Sequence, residues 1–458
     1  MSKTKTKKKL GQEAIWDVRE LGTGKTMLLG VQHLFAMFGA TILVPLLTGL
    51  DVSTTLLMAG IGTLLFHFIT KGRVPAYLGS SFAFLGGYAK VAPMINGEPN
   101  TEMLRYASGG VFVAGLIYVL MAALIKAFGV KRVMRFFPPV VTGPIIISIG
   151  LILAPSAIGN ASTDWLLAIV AVAVVVYFNI YGKGMAKIIP IILGIVISYA
   201  LALILRRVDF SVISSPDIVA IPIHKENMMA FDLSAIITIV PLALATMMEH
   251  IGDISAIGAT TGQNYFKDPG LHRTLTGDGL ATALAAAFGG PANTTYGENT
   301  GVLVLTQVYD PRVMRVAAVF AIILSFFPAV AGVIRSIPVA IIGGVSLVLY
   351  GMISAIGVRN LVENQVDFTK SRNLIVAASI FVCALGFSGG DIDGISFSIG
   401  EVTIQLSGLA IAAIIGILLN AILPGKDYNF DDEDPQDTGV NFSGTDTTKE
   451  GKSQKEEA

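Results

Sequence analysis

The chain has 458 residues, of which 53% are hydrophobic and only 14% charged, with zero formal net charge and a single cysteine. Of its 64 charged side chains 24 lie in residues 1–25 and 426–458, and the 40 left to the 400 residues between them are too few to clothe a soluble enzyme, whose surface calls for about 25% charged residues. The lone Cys383 excludes a disulfide scaffold, a cysteine zinc site and an iron–sulfur centre, and a chain with no basic stripe beyond its first nine residues has no footprint for nucleic acid.

The composition is that of an all-α polytopic membrane protein. The chain opens with Lys3, Lys5, Lys7, Lys8 and Lys9, but Glu13, Asp17, Arg19 and Glu20 follow where a signal peptide would have its apolar core. Residues 1–25 are therefore expected to be a cytoplasmic tail. A spanning helix needs about 20 mostly apolar residues. Windows that meet or approach this length lie at 27–48, 53–70, 76–93, 109–128, 138–155, 164–181 and 186–205. A loop at 207–231 separates them from 232–252, 278–290, 295–308, 313–333, 338–357, 373–388 and 405–423. Four windows (76–93, 278–290, 295–308, 373–388) are short or rich in Gly, Ser, Thr and Asn, so hydropathy alone leaves twelve or thirteen crossings open.

Charge decides for fourteen. With the N-terminus inside, fifteen Lys and Arg fall in the cytoplasmic loops and six outside, the positive-inside bias, and both termini are then cytoplasmic. The tail at 425–458, with Asp431, Asp432, Glu433 and Asp434 in a row, is expected to be disordered.

The segments fall into two repeats, 26–206 and 232–424. Gln32 and His33 sit in the first segment as Glu249 and His250 sit in the eighth. PAYLGSSFAF in the third answers PANTTYGENTGV in the tenth, and the fifth and twelfth open on Pro139/Gly143 and Pro338/Gly343. Seven is odd, so the second repeat enters from the opposite side, giving a 7+7 inverted repeat. Segments three and ten are broken by Gly79-Ser80-Ser81 and by Asn293-Thr294-Thr295 with Gly297, each after a proline. Matching interrupted segments mark a transporter's binding site, and the half-helix after each break offers free N–H groups. Close packing of helices through small residues is the competing reading.

Ionisable residues inside spans mark function by default. Glu249 and Glu298 stand out. Asp253 lies one turn beyond Glu249, although a segment ending near 252 would leave it among the headgroups. His33 joins them by symmetry, while His250 points about 100° away from Glu249 and suits packing. Ionised carboxylates only accept hydrogen bonds, half-helix N–H groups suit carbonyls, and Phe82, Tyr296 and Tyr350 offer flat faces. A small planar molecule with alternating N–H and C=O groups, such as a nucleobase, meets all three demands. Burial disfavours the charged form of a carboxyl, which makes Glu249 a proton carrier, with His33 and Asp253 beside it. No metal or organic cofactor is expected; the coupling ion is the proton.

At these residues the chain resembles the nucleobase–cation symporter 2 (nucleobase–ascorbate transporter) family. QHLFAMFGAT (32–41), VPAYLGSSFAF (74–84), EHIGD (249–253), DPGLHR (268–273), NTTYGENTGV (293–302) and GGVSLVLYG (343–351) look like its bacterial uracil permeases. The family signature [Q/E/P]-N-x-G-x4-T-[R/K/G] is met by Glu298, Asn299, Gly301 and Thr306, with Gln307 as a departure in its last position. Asp253 is a second departure: the uracil carriers generally have histidine there, whereas xanthine and urate carriers have aspartate but usually glutamine in place of Glu298.

The resemblance implies a core domain of segments 1–4 and 8–11 and a gate domain of segments 5–7 and 12–14. Short extended strands are expected in segments three and ten, with substrate between the domains and a homodimer in the cytoplasmic membrane. It implies that Glu249 and Glu298 accept from the base, that Phe82 and Gly297 donate backbone N–H groups, and that Ala40, Asp253, Tyr296 and Tyr350 complete the pocket. The expected activity is proton-coupled uracil import by alternating access. A xanthine or purine symporter is the alternative, and an anion exchanger of the same inverted plan a remote one. Nothing in the motifs suggests an enzyme.

Overall fold

The computed structural model describes residues 13–95, 99–213, 217–388, 394–399, 402–426 and 428; the lysines at 3–9 and the acidic run from Asp431 lie outside the described residues. Helix α1 (Thr23–Thr48) ends on Gly49 in the left-handed conformation (φ +83°). Helix α2 (Val52–Ile69) starts on Asp51, whose carboxylate accepts from the Thr54 N–H at 2.7 Å. The third window is not a continuous helix. It holds strand β1 (Leu78–Ser80), one 3-10 turn at Phe82–Phe84 and the short α3 (Leu85–Val91). Then come α4 (Thr101–Phe128), capped by Asn100, the brief α5 (Val130–Met134), and α6 (Pro139–Ala161), which opens on proline and carries Pro144 and Pro155. Helices α7 (Trp165–Tyr181), α8 (Met185–Ile188) and α9 (Pro190–Ile204) complete the first half.

The second half begins with α10 (Leu233–Ile239) and α11 (Leu242–Thr261), parted at Pro241, and α12 (Leu271–Ala287). Strand β2 (Asn293–Thr295) leads into the ten-residue α13 (Gly297–Thr306). Helices α14 (Arg312–Ser325) and α15 (Pro328–Arg335) meet at a bend of 84° where Pro328 opens the second of them. Last come α16 (Val339–Glu363), α17 (Ser371–Gly386), a hairpin of β3 (Ile395–Ile399) and β4 (Val402–Leu406), and α18 (Gly408–Ile422). Helices α1, α2, α4, α6, α10–α11 and α16 are long and apolar enough to cross a bilayer, and the bent α14–α15 pair makes a seventh candidate; α7, α9, α17 and α18 are apolar but shorter.

Three sequence expectations change here. The eighth segment runs to Thr261 and not to 252, so Asp253 lies inside the helix, two turns from its end, and is fully buried. The ninth begins at Leu271, well before 278; His272, Arg273 and Asp278 lower the hydropathy of its first half and hid it from an apolar window. The β3–β4 hairpin was not foreseen, although Ile395, Phe397 and Ile399 alternate with Ser396 and Ser398 at the strand period.

Packing pairs come in symmetric couples. Helix α4 lies on α12 as α14 lies on α2; α17 lies on α18 as α7 lies on α9; α16 lies on α7 as α6 lies on α17. Helices α6 and α16 cross antiparallel through glycines at both ends. A Cβ on Gly143 would meet Leu361 at 2.6 Å, and one on Gly343 would meet the Ala161 backbone nitrogen at 2.3 Å. At the middle of the crossing, a Cβ on Gly150 would stand 2.3 Å from the Tyr350 carbonyl oxygen. Small residues allow such approach where no hydrophobic effect drives helices together.

Because that carbonyl cannot yield, Gly150→Leu forces α6 and α16 apart, an overpacking cost of about 1–3 kcal/mol. The detergent-solubilised protein then melts several degrees lower in a thermal-shift measurement. Gly159→Leu, in the same helix but with nothing within 4 Å of its Cβ position, leaves the melting temperature unchanged; equal shifts in both would overturn the packing account.

Candidate functional site

The site is built on the two interrupted segments. Strands β1 and β2 pair antiparallel with Leu78 opposite Thr295, Gly79 opposite Thr294 and Ser80 opposite Asn293. Further bonds continue the ladder at both ends: Tyr296 N–H donates to the Tyr77 carbonyl and Ser81 N–H to the Ala292 carbonyl, both at 2.9 Å. Every residue of both strands is buried, so each backbone group that the ladder leaves over needs a partner from a neighbour. Helix α2 supplies one, and β2 is tied to the same helix through a side chain. The Thr63 hydroxyl receives the Leu78 N–H at 3.0 Å, and the Asn293 side-chain amide donates to the Met58 carbonyl at 2.6 Å. From α12, the Thr282 hydroxyl donates to the Asn293 carbonyl at 2.6 Å.

Gly79 has no side chain because Tyr296 occupies the space; a Cβ there would meet the ring at 2.6 Å. The Tyr296 hydroxyl crosses the break to donate to the Ser80 carbonyl at 2.7 Å and stands 3.3 Å from Thr41 Oγ1 of α1. Its first task is thus to hold the two strands. Beyond the ladder Phe82 and Gly297 each open a helical turn. Their N–H groups have no intrahelical partner, which is the equivalence between the two breaks that the sequence suggested.

Four carboxyl groups lie around this pair of strands. Glu249 and Asp253 come from α11, Glu298 from the first turn of α13, and Asp278 from α12. Glu249 and Asp253 both lie within electrostatic reach of Glu298 and Asp278. Asp253 Oδ2 accepts from the Thr295 hydroxyl at 3.3 Å. The neighbouring His250 meets the same hydroxyl, its Nδ1 lying 3.2 Å from Thr295 Oγ1 and 3.4 Å from Asp278 Oδ2, with the Phe66 ring edge-on. A buried chain Asp278–His250–Thr295–Asp253 therefore joins α12, α11 and β2. Sequence reading missed Asp278 and gave Thr295 no part beyond the break itself. A carboxylate opening a weak hydrophobic window was the available signal. Among the described residues no Lys or Arg pairs with any of the four carboxyls, and no three His, Cys, Asp or Glu side chains converge as metal ligands.

His33 is fully buried on α1 and faces the signature. The Asn299 side-chain amide lies 3.1 Å from His33 Nδ1 and donates to the His33 carbonyl at 3.1 Å. Within α13 the Thr306 hydroxyl donates to the Val302 carbonyl at 2.8 Å, and Gly301 is buried in the same helix. A narrow cavity of about 40 Å³ runs beside Glu298, between Ala36, Gly39 and Ala40 of α1 and a wall formed by α16 and residues 187–192. Of the residues expected to bind substrate, Ala40 and Glu298 line it. Glu249, Phe82, Tyr296 and Tyr350 lie behind, each less than a tenth exposed.

A model of the permease family matches residues 24–391. The uracil permease of Bacillus caldolyticus is 42% identical over 428 residues, covering 90% of this chain and 95% of that protein. The uracil permease of Escherichia coli (strain K12) is 39% identical, covering 87% and 91%. Among solved structures, the transmembrane domain of the cyanobacterial bicarbonate transporter BicA superposes with a TM-score of 0.60 at 13% identity, over 89% of this chain and 99% of that one. SLC26A9 gives 0.61 at 12% identity, over 89% and 66%. At such identities these two speak for the fold alone.

The Asn299–His33 pair generates a stability prediction. Asn299→Leu leaves the His33 ring nitrogen and carbonyl without that donor, a cost of about 1–3 kcal/mol for buried groups. The thermal midpoint of the purified protein falls accordingly, and an unchanged midpoint would mean that the two helices are held some other way.

Proposed function

The chain belongs to the permease family, the nucleobase–cation symporter 2 group, and we propose that it imports uracil across the cytoplasmic membrane, coupled to protons, by alternating access. The observation that carries this reading is identity of about 40% with uracil permeases over nearly the whole chain. The chemistry agrees. Uracil is planar, with ring N–H groups alternating with carbonyls. Glu249 and Glu298 accept its N–H groups, and the free amides of Phe82 and Gly297 donate to its carbonyls. Ala40 lines the approach, while Tyr296 and Tyr350 back the pocket. A carboxyl without a counter-cation in a water-poor site gains by holding a proton. Glu249 carries it, with Asp253 and His33 as its neighbours.

The architecture we propose has fourteen segments in two inverted repeats, 26–206 and 232–424, joined by an external loop at 207–231. Seven spanning candidates, four shorter apolar helices, α12 and the two interrupted segments support that count. Ion pairs between distant elements agree with the expected sides. Arg73–Asp268 and Arg312–Asp17 join loops read as cytoplasmic, and Arg207–Asp164 and Arg335–Asp51 join loops read as external. A polar cavity of about 390 Å³ gathers Arg135, Arg372 and Lys426 at ends read as cytoplasmic. Segments 1–4 and 8–11 form the core and segments 5–7 and 12–14 the gate, with substrate between them and a homodimer as the working unit. Both termini face the cytoplasm in this reading.

Asp253 favours a second reading, a xanthine–proton symporter, since aspartate there is the purine carriers' pattern. Anion exchange fits less well, because four carboxyls around the breaks repel an anion.

Radiolabelled uptake in cells decides. Uracil accumulates and the accumulation stops when the proton gradient is collapsed. Glu249→Gln and Glu298→Gln each lower uptake at least a hundredfold with normal amounts of protein in the membrane. Excess xanthine competing better than excess uracil would overturn the substrate, and undiminished transport by both variants would overturn the site.

A further inference from the structure

Residues 13–21 do not hang free of the fold. Ile15 N–H donates to the Gln307 carbonyl at 2.8 Å and Tyr309 N–H donates back to the Ile15 carbonyl at 2.9 Å, a short parallel bridge between the chain before α1 and the loop after α13. Val18 N–H donates to Asp310 Oδ2 at 2.9 Å. The Trp16 ring stands edge-on to Tyr309, centroids 5.2 Å apart. Ile15 is completely buried and packs with Val18, Leu29, Val308 and Val313. Arg312 spans the joint, its Nη2 lying 2.7 Å from Asp17 Oδ1 and 2.5 Å from Asp310 Oδ2. Arg19 first and Arg312 after it hold the Asp17 carboxyl below the usual range of aspartate, and at Asp310 Arg312 and the Val18 N–H outweigh burial to the same effect.

What this segment grips is the end of the half-helix that carries Glu298. With ten residues, α13 is about 15 Å long. It begins at a break and ends at Gln307, a non-glycine residue in the left-handed conformation (φ +52°) whose N–H caps the Leu303 carbonyl at 2.8 Å. That turn aims the Gln307 carbonyl at Ile15. At the other end of α13, Asn299 is bonded to His33. His33 stands on α1, which starts two residues after the segment ends. The half-helix is therefore fastened at both ends to one stretch of chain, residues 15–33, with Glu298 beside the upper fastening.

We propose that residues 15–18 are a positioning strap for Glu298. Docked on Gln307–Arg312, the strap fixes the axial height and rotation of α13, so that the carboxyl in its first turn meets substrate and proton in register. Ile15 and Asp17 are positioning residues, with Asp310 and Arg312 as their receptors. The role rests on the reading of Glu298 as a substrate carboxyl. The last signature position takes part through its backbone, which is why glutamine serves there as well as a basic residue or glycine.

Two readouts on the full-length chain test the strap. In hydrogen–deuterium exchange of the purified protein, Ile15→Asp speeds exchange of the amides of residues 299–306 at least tenfold, and Ile15→Val leaves it as in the parent. In uptake normalised to protein in the membrane, Ile15→Asp raises the KM for uracil at least fivefold and moves the pH profile, while Asp17→Asn raises KM two- to threefold. If Ile15→Asp fails to reach the membrane, Asp17→Asn and Trp16→Ala carry both measurements. Unchanged exchange in α13, or a lower maximal rate with parental KM and pH profile, overturns the proposal. A parent chain that takes up no uracil overturns the functional reading instead, and the exchange result then decides the strap by itself.

Discussion

The architecture depends on one constraint: peptide groups inside a bilayer have no water to turn to. Each unmet N–H or C=O there costs several kcal/mol, yet segments three and ten both give up their helical hydrogen bonds at mid-chain. The two losses cancel because the breaks are brought together. β1 supplies partners for β2, Tyr77 and Ala292 extend the ladder, and side chains of α2 and α12 take up the groups that remain. Neither break is tolerable alone. The fold must place the third segment against the tenth, and the two must run in opposite senses for the strands to meet antiparallel. The packing of α4 with α12 and of α14 with α2 flanks the same pair of breaks.

The carboxyls follow from this arrangement. A broken helix creates N–H donors with a small net positive potential at its new N-terminus, and Glu298 sits in the first turn of such an end. Glu249, Asp253 and Asp278 have no such end nearby on their own helices; Asp253 and Asp278 find polar contact instead. Asp253 takes the Thr295 hydroxyl and Asp278 lies against His250. The strand that closes the backbone ladder thus also carries, on Thr295, the hydroxyl that links two of the carboxyls. Mechanical closure and electrostatic closure use the same few residues.

Much of this was legible in the sequence, and the exceptions have physical causes. The breaks could be found because Pro, Gly and small polar residues leave a dip in an apolar window, and Glu249 and Glu298 because charge is so rare around them. Asp278 escaped for the complementary reason: it stands with His272 and Arg273 in a stretch polar enough to pass for loop, and only the packing of α12 against α4 and α2 makes that stretch a buried helix. The true end of α11 escaped because Gly258, Thr260 and Thr261 look like a terminus while neighbouring helices bury most of them. Residues 13–21 read as a polar tail. Their order comes from a partner about 290 positions away, Asp310 and its loop, and no local pattern records that.

Tyr296 shows that a residue type need not disclose the whole of its task. Tyr296 was expected to shape a pocket, and a phenol beside a nucleobase site is a natural stacking surface. Its hydroxyl is committed instead to the Ser80 carbonyl and its ring to the space over Gly79. Any contact with substrate is made by a side chain already fixed by the break it spans. That fixity is an advantage for recognition, because a group that loses no freedom on binding adds no ordering cost. It also couples the two events. A substrate that moves Tyr296 must strain the link between β1 and α13, and so act on the half-helix that carries Glu298.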